Sequence, residues 1–137
     1  MKRTIGEVFD DVEKATTKKE KAQVLRDNTS PSLISFLELC RSDVKWAYES
    51  RELPAIKGDF PPPGYAEDVL ANQLRRMYLF QEGAKITDKR QDEIFIQMVE
   101  ALSETEANIL MALVQGKRLP IKMFTEKFVE DLFEGKI

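Results

Sequence analysis

Hydroxyl residues stand three positions ahead of a glutamate at Thr4 and Glu7, Thr17 and Glu20, and Ser103 and Glu106. Apolar residues then follow each pair at spacings of three and four. In such a box the hydroxyl accepts from the third amide of a helix while the glutamate reaches back to the amide of the capping residue. Donors that every helix start leaves open are thereby satisfied. The spacing belongs to helices and not to strands, whose faces alternate every second residue. The expected fold is all-α, a compact single-domain bundle of six or seven helices spanning residues 1–137.

The first helix is expected from Thr4 to Ala15, with Ile5, Val8, Phe9 and Val12 on one stripe. The second, Thr17 to Asp27, is short and polar, held to the surface by Ala22 and Leu25. Ser30 is a good cap, and Pro31 falls on the first helical position, where a missing amide costs nothing. That third helix ends near Arg41 and turns Leu33, Phe36, Leu37 and Cys40 one way. Tyr65 to Gln81 reads as a long helix with Ala66, Val69, Leu70, Leu74, Met77 and Tyr78 on its face and Gly83 as its C-terminal cap. Another begins at Thr87 or Asp88 and carries Ile94, Phe95, Met98, Val99 and Leu102. Asn108 to Val114 is apolar nearly all round, the mark of a central helix, and Gly116 can end it. The last helix runs from Thr125 to Glu134 and stops at Gly135.

Between the third and fourth helices lies a long Pro-rich connection, residues 43–64. Trp46 and Tyr48 fall in a stretch able to form a helical turn, but Leu53-Pro54 and the run from Gly58 to Gly64 exclude a continuous helix. With Trp46, Tyr48, Ile56 and Phe60 as anchors, the connection is expected to be ordered.

Absent residues narrow the chemistry. The chain has no histidine, which removes the commonest general base and the commonest zinc ligand. Its one cysteine, Cys40, forms neither an intramolecular disulfide nor a multi-cysteine metal site, and Phe36, Leu37 and Leu39 nearby mark it as a small buried hydrophobe. Neither common glycine-rich phosphate loop is present. No stretch approaches the ~18 apolar residues of a membrane span, and the beginning of the chain lacks the apolar core of a secretion signal. The expectation is an intracellular, soluble protein, not an enzyme, with no cofactor and no metal.

Candidate functional residues fall into three groups. Trp46, Phe60, Pro61, Pro62 and Tyr65, beside Arg75 and Arg76, are the expected protein-binding surface, because consecutive prolines hold an extended conformation that flanking aromatics offer to a partner. Lys117, Arg118 and Lys122 are the candidate nucleic-acid contacts, and Arg75-Arg76 and Lys18-Lys19-Lys21 are the other basic clusters. With 21 basic against 24 acidic residues no segment is strongly basic, so nucleic acid is possible but not favoured. The acidic pairs Asp10-Asp11, Glu67-Asp68, Asp92-Glu93 and Glu130-Asp131 fall mostly where a helix dipole or solvent accounts for them. The tail from Phe128 to Glu134 has the apolar spacing of a short helix laid into a partner's groove, and the same spacing docks a terminal helix onto its own core.

The strings Lys19 to Arg26, Asn28 to Leu33, Pro63-Gly64, Arg75 to Gly83 and Lys117 to Lys122 resemble, in order along the chain, a family of short proteins of unknown function from T-even-like tailed phages. Such proteins are familiar from phages of cyanobacteria and other marine bacteria. The most specific piece is Arg-x-Tyr-Leu-Phe-x-Glu-Gly, here Arg76 to Gly83. The tail is also similar to the acidic, Leu-Phe-ended peptides with which phage proteins grip a sliding clamp. The resemblance implies a phage origin, and a family of unknown function supplies no activity to carry over. The expected role is a non-catalytic adaptor or inhibitor that binds a host or phage protein in the host cytoplasm. The alternatives are an accessory factor bound to nucleic acid in phage replication or late transcription, and a virion or assembly component. A homodimer fits the apolar surface equally well.

Overall fold

A computed structural model describes residues 3–41, 43–58, 60–61, 65–117 and 119–136. Among these residues there are seven α-helices and no strand: α1 (Ile5–Lys14), α2 (Lys18–Asp27), α3 (Pro31–Leu39), α4 (Leu70–Gln73), α5 (Asp88–Glu100), α6 (Glu104–Val114) and α7 (Glu126–Phe133). A 3-10 turn occupies Ala47–Glu49, and a longer 3-10 helix, Leu74–Phe80, continues directly from α4. The all-α expectation holds.

The hydroxyl caps form as the sequence predicts. Thr4, Thr17, Ser30, Thr87, Ser103 and Thr125 each accept from a backbone amide three residues on. Only the first box, at Thr4, is reciprocal in the expected way, with Glu7 returning to the Thr4 amide at 3.0 Å. Glu20 instead accepts from the amide and hydroxyl of Thr16, and Glu106 leaves its own helix altogether.

The stripe Ile5, Val8, Phe9 and Val12 is buried and packs α1 against α2, α4 and α6. The central position of α6 is confirmed: Ile109, Leu110, Leu113 and Val114 are buried, and the helix touches α1, α5 and the 3-10 turn. Phe9 meets Phe36 and Phe124 edge-on at 5.5 Å, which ties α1 to α3 and to the approach to α7. Tyr48, Phe80 and Phe95 form a second aromatic group. All of the buried apolar residues belong to one cluster.

The expected long helix from Tyr65 to Gln81 is corrected in two ways. It starts only at Leu70, because the Asp68 amide is bound to the Ala101 carbonyl at 3.0 Å and Val69 stays extended. From Leu74 it tightens to 3-10, and the buried residues become Leu70, Gln73, Met77 and Phe80. Tyr78, expected on the inner face, is exposed, and Phe80 takes the core position. A tertiary hydrogen bond and the tighter winding thus override a pattern that reads equally well as α-helix. Past Phe80 the chain is extended, with Gln81 bridged to Trp46 and the Glu82 amide donating to the Lys45 carbonyl at 3.0 Å.

Of the expected connection over 43–64, Trp46 and Tyr48 are buried and Leu53, Ile56 and Phe60 are half-buried against the core. Pro62, Pro63 and Gly64 lie outside the described residues. The last helix docks through Phe128 and Val129, as its spacing predicts.

Candidate functional site

A groove of about 430 Å³ opens where the end of α3, the segment around Trp46, the end of α6 and the start of α7 meet. Its floor is apolar, made by Leu39, Val44, Trp46, Leu113, Leu119, Phe124 and Val129. Local geometry sets each wall. The Trp46 amide donates to Glu49 at 2.6 Å, which closes the 3-10 turn and holds the indole inward. Glu49 lies flat against Gly116, where an added Cβ would come within 2.6 Å of the carboxyl carbon. Gly116 also ends α6 at φ +67°, a conformation that side chains disfavour, so the residue is needed twice over. Thr125 starts α7 by accepting from the Phe128 amide at 3.1 Å, which brings Lys127 and Val129 to the opposite wall.

The rim is cationic. Arg41, Lys45, Lys117 and Lys127 are exposed along it, against the carboxylates of Glu49 and Glu126. Arg41 also stacks its guanidinium 5.1 Å from the centre of the Phe133 ring, and Lys127 approaches Asp131 at 3.7 Å. Cys40 lines the same groove, but burial pushes its thiol up to about 12. Burial thus disfavours the thiolate, the form that would act as nucleophile.

A second, polar hollow of about 380 Å³ is lined by Asp68, Ala71, Asn72, Gln73, Arg75 and Arg76. Asp68 is committed there: its carboxylate accepts from the Val69 amide and the Asn72 side chain, both at 2.8 Å, and from Gln73. Arg75 and Arg76 are exposed at its edge.

Other polar groups of interest are also structural. Asp92 accepts from the Tyr48 hydroxyl at 2.7 Å and pairs with Arg51 at 2.9 Å, while the Arg51 guanidinium lies 4.6 Å above the Tyr48 ring. Burial, reinforced by Asp92, raises the Tyr48 phenol above its ordinary range. Glu106 is 2% exposed and bridges two helix starts, accepting from the Gly6 amide of α1 and the Leu70 amide of α4, each at 2.9 Å. Burial raises its carboxyl, and the two amides hold it down in part. Lys21, expected in a basic surface cluster, is 1% exposed, and its ammonium donates at 2.7 Å to the Val12 and Ala15 carbonyls at the end of α1. Among the described residues no set of His, Cys, Asp or Glu side chains gathers as a metal site, and no helix is long and apolar enough to cross a membrane.

The structure divides the expected site residues rather than gathering them. Trp46, expected on the binding surface, is 3% exposed and forms groove floor and core, because its bridge to Gln81 and the Glu49 turn hold it inward. Phe60 and Pro61 are half-buried, Tyr65 is 79% exposed, and Pro62 lies outside the described residues. Lys117 joins Trp46 at the groove, Arg75 and Arg76 belong to the polar hollow, Lys122 is exposed but lines neither, and Arg118 lies outside the described residues. Sequence reasoning missed Arg41, Lys45 and Lys127 as rim residues. A cation directly before the buried Trp46 was the one local hint.

The architecture defines an all-α protein with an apolar groove under a cationic rim. Over residues 8–120 the sequence matches the family of unknown function DUF6433, and the chain belongs to that family. No curated protein and no solved structure matches it.

Proposed function

We propose that this chain is a phage protein that works without catalysing a reaction, by binding a host or phage protein in the cytoplasm of the infected cell as an adaptor or inhibitor. The phage origin is supported by the resemblance carried by Arg76 to Gly83 and the flanking strings. The observation that carries the binding role is the groove: some 430 Å³ lies between packed walls, with an apolar floor and charges confined to the rim. Recognition sites have this construction, with apolar area for affinity and a few polar groups for orientation. The side chains best suited to acid-base work support the same reading, since Asp68, Asp92 and Glu106 are each held by two or more structural hydrogen bonds or ion pairs.

The test is affinity capture with the tagged full chain from infected cells, with nuclease treatment and a moderate-salt wash. A stoichiometric protein partner is expected. Bands that appear only when nuclease is omitted would replace this reading with the nucleic-acid one, and recovery of the chain in purified particles would replace it with a virion role.

A further inference from the structure

The charge around the groove specifies its occupant more narrowly than its shape does. The chain as a whole has more acid than base, yet the rim sets four cations against two carboxylates. One of those cations, Lys127, approaches Asp131 at 3.7 Å, and one of the carboxylates, Glu49, accepts from the Trp46 amide. Lys45 and Lys117, by contrast, are exposed and form no ion pair among the described residues. Cations above an apolar floor complement a ligand that is acidic and apolar at once.

We infer that the groove takes an acidic segment of a partner protein, with Asp or Glu side chains on Lys45, Lys117 and Arg41 and an apolar side chain against the half-buried Leu39 and Val44. This rests on the protein-binding role proposed above and supplies its chemistry. Nucleic acid fits less well. Single strands bind by stacking bases on exposed aromatic faces, and here Trp46 and Phe124 are 3% and 2% exposed. The protein's own acidic helix α7 cannot be the occupant, because Glu126, Lys127 and Val129 already form one wall.

The experiment selects random displayed peptides on the immobilised full chain, then measures the winners by fluorescence anisotropy. The selected peptides are expected to be rich in Asp and Glu around an aromatic or aliphatic residue. Their affinity should fall about tenfold in a Lys45→Glu, Lys117→Glu variant, since two surface charges are reversed, and should be unchanged in a Lys18→Glu, Lys19→Glu control of the same charge. Selection repeated on the rim variant should favour basic peptides. Absence of acidic enrichment, equal binding by the rim variant, or an equal loss in the control would overturn the proposal. So would displacement of the peptide by a single-stranded oligonucleotide or by a second copy of the chain. The two readings fail separately. If the rim variant still captures the cellular partner, the groove assignment falls and the binding role stands. Should acidic peptides bind the groove while capture yields no partner, the binding role falls and the groove chemistry stands.

Discussion

The junction around Glu106 and the groove beside Trp46 both join distant helices, but they treat polar groups in opposite ways. At the junction, one carboxylate is sunk among apolar residues and uses both oxygens on the starts of α1 and α4. At the groove, the polar groups sit at the edge while apolar side chains form the base. A buried carboxylate is costly unless fully bonded, so the junction is closed to anything else. The groove satisfies its backbone locally, through Glu49 and Thr125, and leaves Lys45 and Lys117 in solvent. The first region is organised for stability, and the second holds surface in reserve.

Substitutions can break or sharpen that contrast. The largest effect is expected at the groove floor, where Trp46→Ala should cost about 3–5 kcal/mol, as for a buried aromatic. Urea denaturation followed by circular dichroism measures it, and a loss below about 1 kcal/mol would return Trp46 to the surface set. Next comes Glu106→Gln, which keeps the shape but turns an NH₂ toward one of the two helix amides and should cost about 1–3 kcal/mol.

The same variant carries a pH signature. Because the folded chain holds the Glu106 proton more tightly than the unfolded one, stability through this group falls as pH rises from its ordinary 4.5 to the raised folded value. The penalty is relieved on acidification and is absent from the variant. The stability gap between wild type and Glu106→Gln should therefore widen as pH is lowered through that window. A narrowing gap, read from melting curves at several pH values, would show that the amide bonds outweigh burial.

Gly6→Ala places a Cβ 2.7 Å from the Glu106 Cγ, and that side chain cannot yield without giving up its amide bonds. The overpacking outweighs the helix-propensity gain, for a net loss of about 1–2 kcal/mol. Gly58→Ala, with nothing within 4 Å, serves as the neutral comparison. Smallest of all is the rim: Lys45→Glu with Lys117→Glu should change stability by no more than about 0.5 kcal/mol. A melting temperature that falls as far as in Gly6→Ala would mean the rim is structural and the contrast between the regions is false.

The helices were legible in the sequence because their signals are local. Thr4, Ser30 and Thr125 cap as their neighbours require, and the stripe of α1 needs only its own spacing. What escaped the sequence depends on residues far apart. Glu106 completes a capping-box pattern, yet its carboxylate prefers amides 100 and 36 residues away. Lys21 reads as one member of a basic cluster until the end of α1 is brought over it. The groove is less legible still. Trp46 and Lys117 were both singled out, but nothing in a linear pattern says that residues 71 positions apart share one wall-to-wall space. Arg75 and Arg76, close to Tyr65 in sequence, belong instead to a hollow shaped by Asp68 and Gln73.

The bridge at Glu106 also sets a timetable. Its partners at Gly6 and Leu70 are made long before it during synthesis, so these two amides gain their acceptor only once α6 has been made. Contacts this distant in sequence are closed late and against chain entropy. A nascent chain halted before residue 106 leaves the Gly6 and Leu70 amides without their carboxylate acceptor. One glutamate of α6 thus joins parts of the chain that are made 100 residues apart.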